Sequence, residues 1–161
     1  MYSKHKIITK PTQRDLDDIL SWLKLEFEKD REGFWCNRNI ISKALDQDEL
    51  YVIRRNEVAV AFQVGHYSAD IVNVRQDLQN KGYGSALLEY SMEQARTNNV
   101  TVLRGECMPT SSLSYWEKHG FVRYGDMSEW GKITVRRIIP KSFEIPLGSP
   151  LVSVKISLYP E

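Results

Sequence analysis

The chain has 161 residues, 42% of them apolar, and a formal net charge of +1. That length suffices to bury a core in one domain, and that charge is too small to draw the whole molecule to nucleic acid or an anionic membrane. Two cysteines, Cys36 and Cys107, exclude a disulfide framework, the scattered His5, His66 and His119 exclude a metal site by ligand spacing, and no apolar run approaches the length of a membrane span.

No apolar segment follows Met1–Lys6, so no signal peptide is read there, and a cytoplasmic protein with reduced thiols is expected. Lys6–Thr9 reads as a short strand. Thr12 and Asp15 form a capping box opening a helix. Leu16, Ile19, Leu20, Leu23 and Phe27 then recur at three- and four-residue steps, an apolar stripe for a core, with Asp17, Asp18, Lys24 and Glu28 on a solvated face. An aromatic, irregular stretch around Phe34 and Trp35 leads to a second helix from about Arg38 to Leu45. Leu50–Arg54 and Val58–Val64 read as strands joined by a hairpin turn at Arg55-Asn56-Glu57. Asp70–Val74 is a third, completing an antiparallel meander. A helix from Ser85 to about Arg96, with Leu87, Leu88, Met92 and Ala95 on one side, precedes a strand from Val100 to Cys107. A strand–helix–strand unit of this kind implies parallel pairing, and hence a mixed sheet. Pro109–Ser112 opens the last helix, which Gly120 closes in a left-handed turn. Strands follow at Phe121–Tyr124 and Lys132–Ile139. After a Pro/Gly-containing loop, Val152, Val154, Ile156 and Leu158 alternate with polar residues as in a half-buried strand.

The stretch Gln79-Asn80-Lys81-Gly82-Tyr83-Gly84-Ser85 stands at the junction of a strand and a helix. Two glycines there permit a tight turn and leave backbone N–H groups uncovered. The helix start adds unpaired donors and partial positive charge, and Lys81 a full charge. The pattern fits a nest for phosphate, or else a plain Gly-rich turn. It is not a P-loop, because Lys81 precedes both glycines. It is not a dinucleotide fingerprint, because Leu87 stands where the third glycine belongs.

Gln79, Gly82 and Gly84 fill a Gln/Arg-x-x-Gly-x-Gly/Ala pattern that resembles the acyl-CoA loop of the GCN5-related N-acetyltransferase (GNAT) family. Leu113-Ser114-Tyr115-Trp116-Glu117-Lys118-His119-Gly120-Phe121 resembles the family's second landmark, a helix ending in Tyr-Glu-Lys-x-Gly-Phe. Both landmarks come in the family's order, with a strand between them, and the resemblance runs from about Leu50 to Tyr124. It implies an α/β (α+β) fold with a mixed, mostly antiparallel central sheet flanked by four helices. It also implies one N-acetyltransferase domain with its core at about 4–139. Residues 140–161 would be an extension supplying an added edge strand or a homodimer contact.

The resemblance further implies acetyl-CoA as co-substrate, no metal, and direct attack of an amine on the thioester in a ternary complex. Val72 and Val74 would hold the pantetheine arm like an added strand. The backbone N–H groups from Asn80 through Lys81, Gly82, Tyr83 and Gly84 to Ser85 would hold the pyrophosphate, and an N–H of the Val74 strand would face the thioester oxygen. Asp70, an even number of residues before Val72 and Val74, is the first expectation for the base; Glu106 is the second. The family's usual acid is a Tyr, and here its position holds Trp116. An indole N–H donates a hydrogen bond but does not give up its proton as a phenol does. Tyr115, one residue away, is turned by about 100° on a helix and does not simply replace it. Trp116 would then donate to the thiolate without protonating it, a water or Tyr124 would supply the proton, or the site would bind acetyl-CoA and transfer poorly. Phe34 and Trp35 would wall the acceptor site or else cap the core. No base stands in sequence beside Ser111, Ser112 or Cys107, so a covalent intermediate is not expected.

The expected function is therefore acetyl transfer to a primary amine of a small molecule or a protein. A nucleic-acid partner is not expected, apart from an aminoacyl-tRNA as acceptor, and neither is a membrane partner. The rival reading is an acyl-CoA sensor or interaction module on the same fold.

Overall fold

The computed structural model of the chain describes residues 5–129 and 131–140. In order these form β1 (Ile7–Ile8), α1 (Gln13–Asp30), α2 (Arg38–Asp46), β2 (Leu50–Arg55), β3 (Val58–Val64), β4 (Ser68–Ala69), β5 (Ile71–Val74), α3 (Tyr83–Thr97), β6 (Val102–Cys107), α4 (Leu113–Lys118), β7 (Val122–Arg123) and β8 (Ile133–Ile138). Single 3-10 turns at Phe34–Asn37, Gln76–Leu78 and Thr110–Ser112 lead into α2, the glycine loop and α4.

Helix α1 starts where the capping box predicts. The Thr12 N–H and hydroxyl both donate to Asp15 Oδ2, at 2.6 and 3.0 Å. Its buried stripe is Leu16, Ile19, Trp22 and Leu23; the sequence pattern did not mark Trp22, and Leu20 and Phe27, which it did mark, are only half-buried. Trp22 Nε1 donates to the Ala59 carbonyl at 3.1 Å, and Asp18 accepts the Ala59 N–H at the same distance. Asp18 is thus not merely solvated, as its place on the polar face suggested. It anchors the helix to the start of β3. The hairpin between β2 and β3 turns at Asn56 and Glu57, both with positive φ, the backbone of a tight turn matched to strand twist.

Two four-stranded sheets result, in the orders β1-β2-β3-β5 and β4-β6-β8-β7. The β4–β6 pairing, Ser68 to Arg104 and Ala69 to Gly105, is parallel, as the crossover through α3 requires; the other pairings are antiparallel. One extended stretch feeds both sheets. Ser68–Ala69 belongs to one, Ile71–Val74 to the other, and Asp70 lies at the break. Asp70 N–H bonds the Val64 carbonyl while Ile71 is the register partner of Val64. Two residues oppose one, which is a bulge. The even-number argument placing Asp70 on the face of Val72 and Val74 does not survive that extra residue.

Helix α3 covers both sheets. Leu87 packs with Tyr51, Ile53 and Ala61 of the first; Leu88, Met92 and Ala95 pack with Leu103 and Val135 of the second, and with Trp116 of α4 and Phe121 beyond its end. Helices α1 and α2 cover the other face of the first sheet through Leu16, Ile19, Ile41, Leu50 and Phe62. Because β2 is covered on both faces, its first four residues are all buried rather than alternating. No helix among the described residues is long and apolar enough to cross a membrane. The strand expected at Val152–Leu158 lies outside the described residues.

Candidate active site

The site begins where β5 and β6 part. Strand β5 is hydrogen-bonded to β3 on one side. Arg75 N–H bonds the Val60 carbonyl, and successive N–H groups along a strand face opposite ways, so the N–H groups of Val72 and Val74 face away from β3. Val74 N–H meets the side chain of its neighbour, Asn73 Oδ1, at 2.9 Å. The group expected to face a thioester is thus turned outward and held by a side-chain amide.

Past β5 the chain makes one 3-10 turn. Leu78 is buried beneath it, and Gln79 reaches back to donate to the Val74 carbonyl at 3.3 Å. Asn80 and Gly82 both take positive φ, 61° and 87°, a conformation open to Gly and tolerated by Asn. Gly82 is the N-cap of α3, whose first helical bond runs from Ala86 N–H to the Gly82 carbonyl. The N–H groups of Tyr83, Gly84 and Ser85 precede that bond and belong to the unpaired first turn. Lys81 points elsewhere, its ammonium donating to the Asp77 carbonyl at 3.2 Å. Tyr83 is buried with His5 stacked on it at 4.1 Å, and His5 Nε2 donates to the Lys81 carbonyl.

These elements enclose a cavity of about 590 Å3, lined by Val72, Asn73 and Val74 of β5, by Gln79, Asn80, Gly82, Tyr83, Gly84 and Ser85, and by Tyr115, Lys118 and His119 of α4 and its end. A second cavity of about 270 Å3 shares Val72, Asn73, Gln79, Ser112 and Tyr115 with the first and adds Phe34, Glu106, Met108, Pro109 and Trp116. The structure thus brings the glycine loop, the Val72–Val74 edge, Glu106, Trp116 and Phe34 together. It leaves Asp70, Lys81, Trp35 and Tyr124 off both linings. Trp35 packs on the α1 core with the Arg38 guanidinium 5.1 Å from its ring. Tyr124 is half exposed, under the Arg136 guanidinium.

Trp116 is 4% exposed and stands edge-on to Phe121, 5.0 Å between ring centres. A Cβ added on Gly105 would come within 2.8 Å of the Trp116 ring, so β6 needs glycine there. Glu106 forms an ion pair with Lys132 at 3.0 Å. Among the described residues two buried side-chain oxygens have no hydrogen-bond partner, Gln63 Oε1 and the Tyr115 hydroxyl. The second lies beside the glycine loop, since a Cβ on Gly84 would come within 2.7 Å of it. Burial pushes the Tyr115 phenol well above its ordinary range. Helix α4 is only six residues long and follows a 3-10 turn. Trp116 therefore turns into the core while Tyr115 lies along the cleft. The 100° step between them is real, but it does not say which of the two faces the larger cavity. Asn73 also lines the cavity without having been marked in the sequence, and so do Ser112 and His119, which the sequence offered only as a nucleophile without a base and as an isolated histidine.

Two splayed sheets, joined by one bulged strand and closed by a glycine-capped helix, define the acetyltransferase fold of the GNAT type. Residues 46–123, the span from the end of α2 to β7, match the family model described as acetyltransferase (GNAT) domain. Solved structures share the fold at low identity. The protein PH1933 from Pyrococcus horikoshii OT3 superposes with a TM-score of 0.65 at 17% identity, over 84% of this chain and 98% of that one. A ribosomal-protein-alanine N-acetyltransferase from Brucella melitensis gives 0.61 at 19%, over 83% and 99%. An N-acetylglutamate synthase from Neisseria gonorrhoeae, complexed with coenzyme A and N-acetyl-glutamate, gives 0.64 at 12%, over 88% of this chain and 36% of that one. No curated protein matches the chain by sequence.

Proposed function

We propose that the chain is one N-acetyltransferase domain that binds acetyl-CoA in the larger cavity and passes the acetyl group to a primary amine entering through the smaller one. The observation that carries this reading is the continuity of the larger cavity, from the outward N–H groups of β5 to the unpaired first turn of α3. An extended pantetheine arm suits the first end and a pyrophosphate the second. Val72 and Val74 hold the arm; Gln79, Asn80, Gly82, Tyr83, Gly84 and Ser85 surround the phosphates. The acceptor is an amine of a small molecule or a protein.

In the reaction the amine nitrogen attacks the thioester carbonyl carbon. A C–N bond forms, the C–S bond breaks, the nitrogen gives up a proton and the CoA thiolate gains one. Of the two carboxylates the sequence offers as base, Glu106 lines the smaller cavity and Asp70 does not, so we assign the base to Glu106. Val74 N–H exchanges Asn73 Oδ1 for the thioester oxygen as that oxygen gains charge. The Tyr115 hydroxyl donates a hydrogen bond to the ligand, and Trp116 packs behind it. A phenol that holds its proton as firmly as Tyr115 stabilises the leaving sulfur better than it protonates it, and water completes the transfer.

Calorimetric titration with acetyl-CoA, followed by thiol release over a panel of amines, tests the reading. Binding with turnover is expected, and no binding overturns it. Glu106→Gln should lower the rate by about a hundredfold or more at unchanged acetyl-CoA affinity; an unaltered rate removes Glu106 as base. The buried Trp116 in the acid's place favours one second reading, an acyl-CoA sensor. Binding without thiol release from any amine would establish it.

A further inference from the structure

One contact in the larger cavity has no part in the transfer step. Ser85 lies in the first turn of α3, and His119 follows the end of α4. His119 Nε2 is 2.8 Å from Ser85 Oγ, and Nδ1 is 2.7 Å from the backbone oxygen of Tyr115. A carbonyl only accepts, so Nδ1 carries a hydrogen. In the neutral ring Nε2 is then an acceptor, and the Ser85 hydroxyl must donate to it. The proton of Ser85 is thereby turned away from the cavity that both residues line, and its oxygen offers lone pairs to an entering phosphate. A second proton on the ring reverses this. Nε2–H then donates to Ser85 Oγ, the hydroxyl hydrogen is released toward the cavity, and a full positive charge joins the start of α3.

The charged neighbours favour coupling of that proton to an anion. Arg137 of β8 donates through Nη1 to the His119 carbonyl, and Lys118 of α4 lines the same cavity. From α4 the Tyr115 ring stands 4.6 Å from the imidazole, its phenol held neutral by burial; from α3 the contact is Ser85. Both fixed charges are positive. A phosphate among them supplies the countercharge.

We propose that binding of a pyrophosphate ester in this cavity takes up a proton on His119, and that Ser85 converts the proton into a hydrogen bond to the ligand. His119 is then a positioning residue that makes the anion site proton-coupled. The inference takes its ligand, coenzyme A, from the reading above. Linkage requires affinity to rise as pH falls, by up to about tenfold per pH unit for one proton taken up.

The test is calorimetric titration of the full chain with coenzyme A between about pH 6 and about pH 8, where an imidazole changes charge. Buffers of differing ionisation enthalpy report proton uptake. The unmutated protein is compared with His119→Gln, whose amide reaches Ser85 without titrating; the difference removes the ligand's own phosphate ionisation. Uptake by the unmutated chain that vanishes in the variant is expected. Binding without uptake, or equal uptake by both, overturns the inference and leaves the coenzyme A reading standing. No binding by the unmutated chain overturns both. Nitrogen-15 spectra of the imidazoles of the unmutated chain provide a reading that needs no variant. His119 should carry hydrogen on Nδ1 alone when free and on both nitrogens with coenzyme A bound; a ring left neutral in the complex refutes the proposal.

Discussion

The Tyr115 hydroxyl and Gly84 meet across the larger cavity, and each explains the other. Gly84 has helical backbone, so it is kept for space and not for its φ. A methyl group there would lie 2.7 Å from the hydroxyl. Gly84→Ala should weaken acetyl-CoA binding by about tenfold, roughly 1.4 kcal/mol, by driving the phenol into the ligand's path. Adding Tyr115→Phe removes the atom that is struck and should recover part of the loss; calorimetry on the double variant reads it. Tyr115→Phe alone deletes a buried hydroxyl without a partner, so stability in urea should hold or rise by up to about 1 kcal/mol. The sequence marks the glycines clearly because a turn and a close approach admit little else. It does not mark Tyr115 above Trp116, because the pair's orientation depends on how a six-residue helix is set by Phe121 and Gly105, contacts that no periodicity encodes.

At the scale of elements, α1 was readable from its cap and stripe, but what it is fastened to was not. Asp15 looks like a cap residue alone. In the fold it is 1% exposed and also receives the Arg54 guanidinium of β2, Nε at 2.5 Å and Nη2 at 2.6 Å. Burial would raise its carboxyl, but the bonds from Arg54 and Thr12 outweigh that and hold it below the usual range. A carboxyl lowered by folding binds protons better when unfolded. Its stabilisation is complete above the ordinary Asp value, about 3.9, and drains away as pH falls from there toward the folded value. Asp15→Asn should cost about 3 kcal/mol near neutral pH and flatten the acid limb of the stability profile; urea unfolding across pH checks both. Arg54 is 39 residues from Asp15 in sequence, a pairing that only the antiparallel order of β1, β2 and β3 creates. The Asp70 break was hidden for a similar reason: a single extra residue in a strand leaves no mark on composition, yet it moves every later side chain by one phase.

For the whole molecule, the crossover rule was enough to foresee a mixed arrangement, but the strand that pairs parallel with β6 is β4, Ser68–Ala69, and not the stretch Asp70–Val74 from which the pairing was read; β5 lies between β4 and α3 and pairs with β3. The resemblance implied one central sheet; its division in two depends on where β5 stops pairing. A ligand that fills the resulting cleft touches β5, α3 and α4 together and binds the folded chain alone. At a hundred times its dissociation constant acetyl-CoA should add about 2.7 kcal/mol, which for a chain of this length raises the melting temperature by roughly 5–10 °C. A thermal scan with and without ligand reads it, and an unchanged midpoint would deny binding at that site.

The outward edge of β5 can also be described as a gap in the molecule's map of amide exchange. Arg75 N–H is locked to Val60 by the ladder, whereas Val74 N–H is held by one half-exposed side chain, and Val72 N–H faces the same way. In the free chain the Val72 and Val74 amides should trade hydrogen for deuterium far faster than those of Val60 and Phe62 one strand inward. With acetyl-CoA present they should slow by at least about tenfold while β3 stays as it was. The bound arm would then take the part of an absent neighbouring strand, and the rhythm of exchange along four residues would show whether the sheet has been completed from outside the chain.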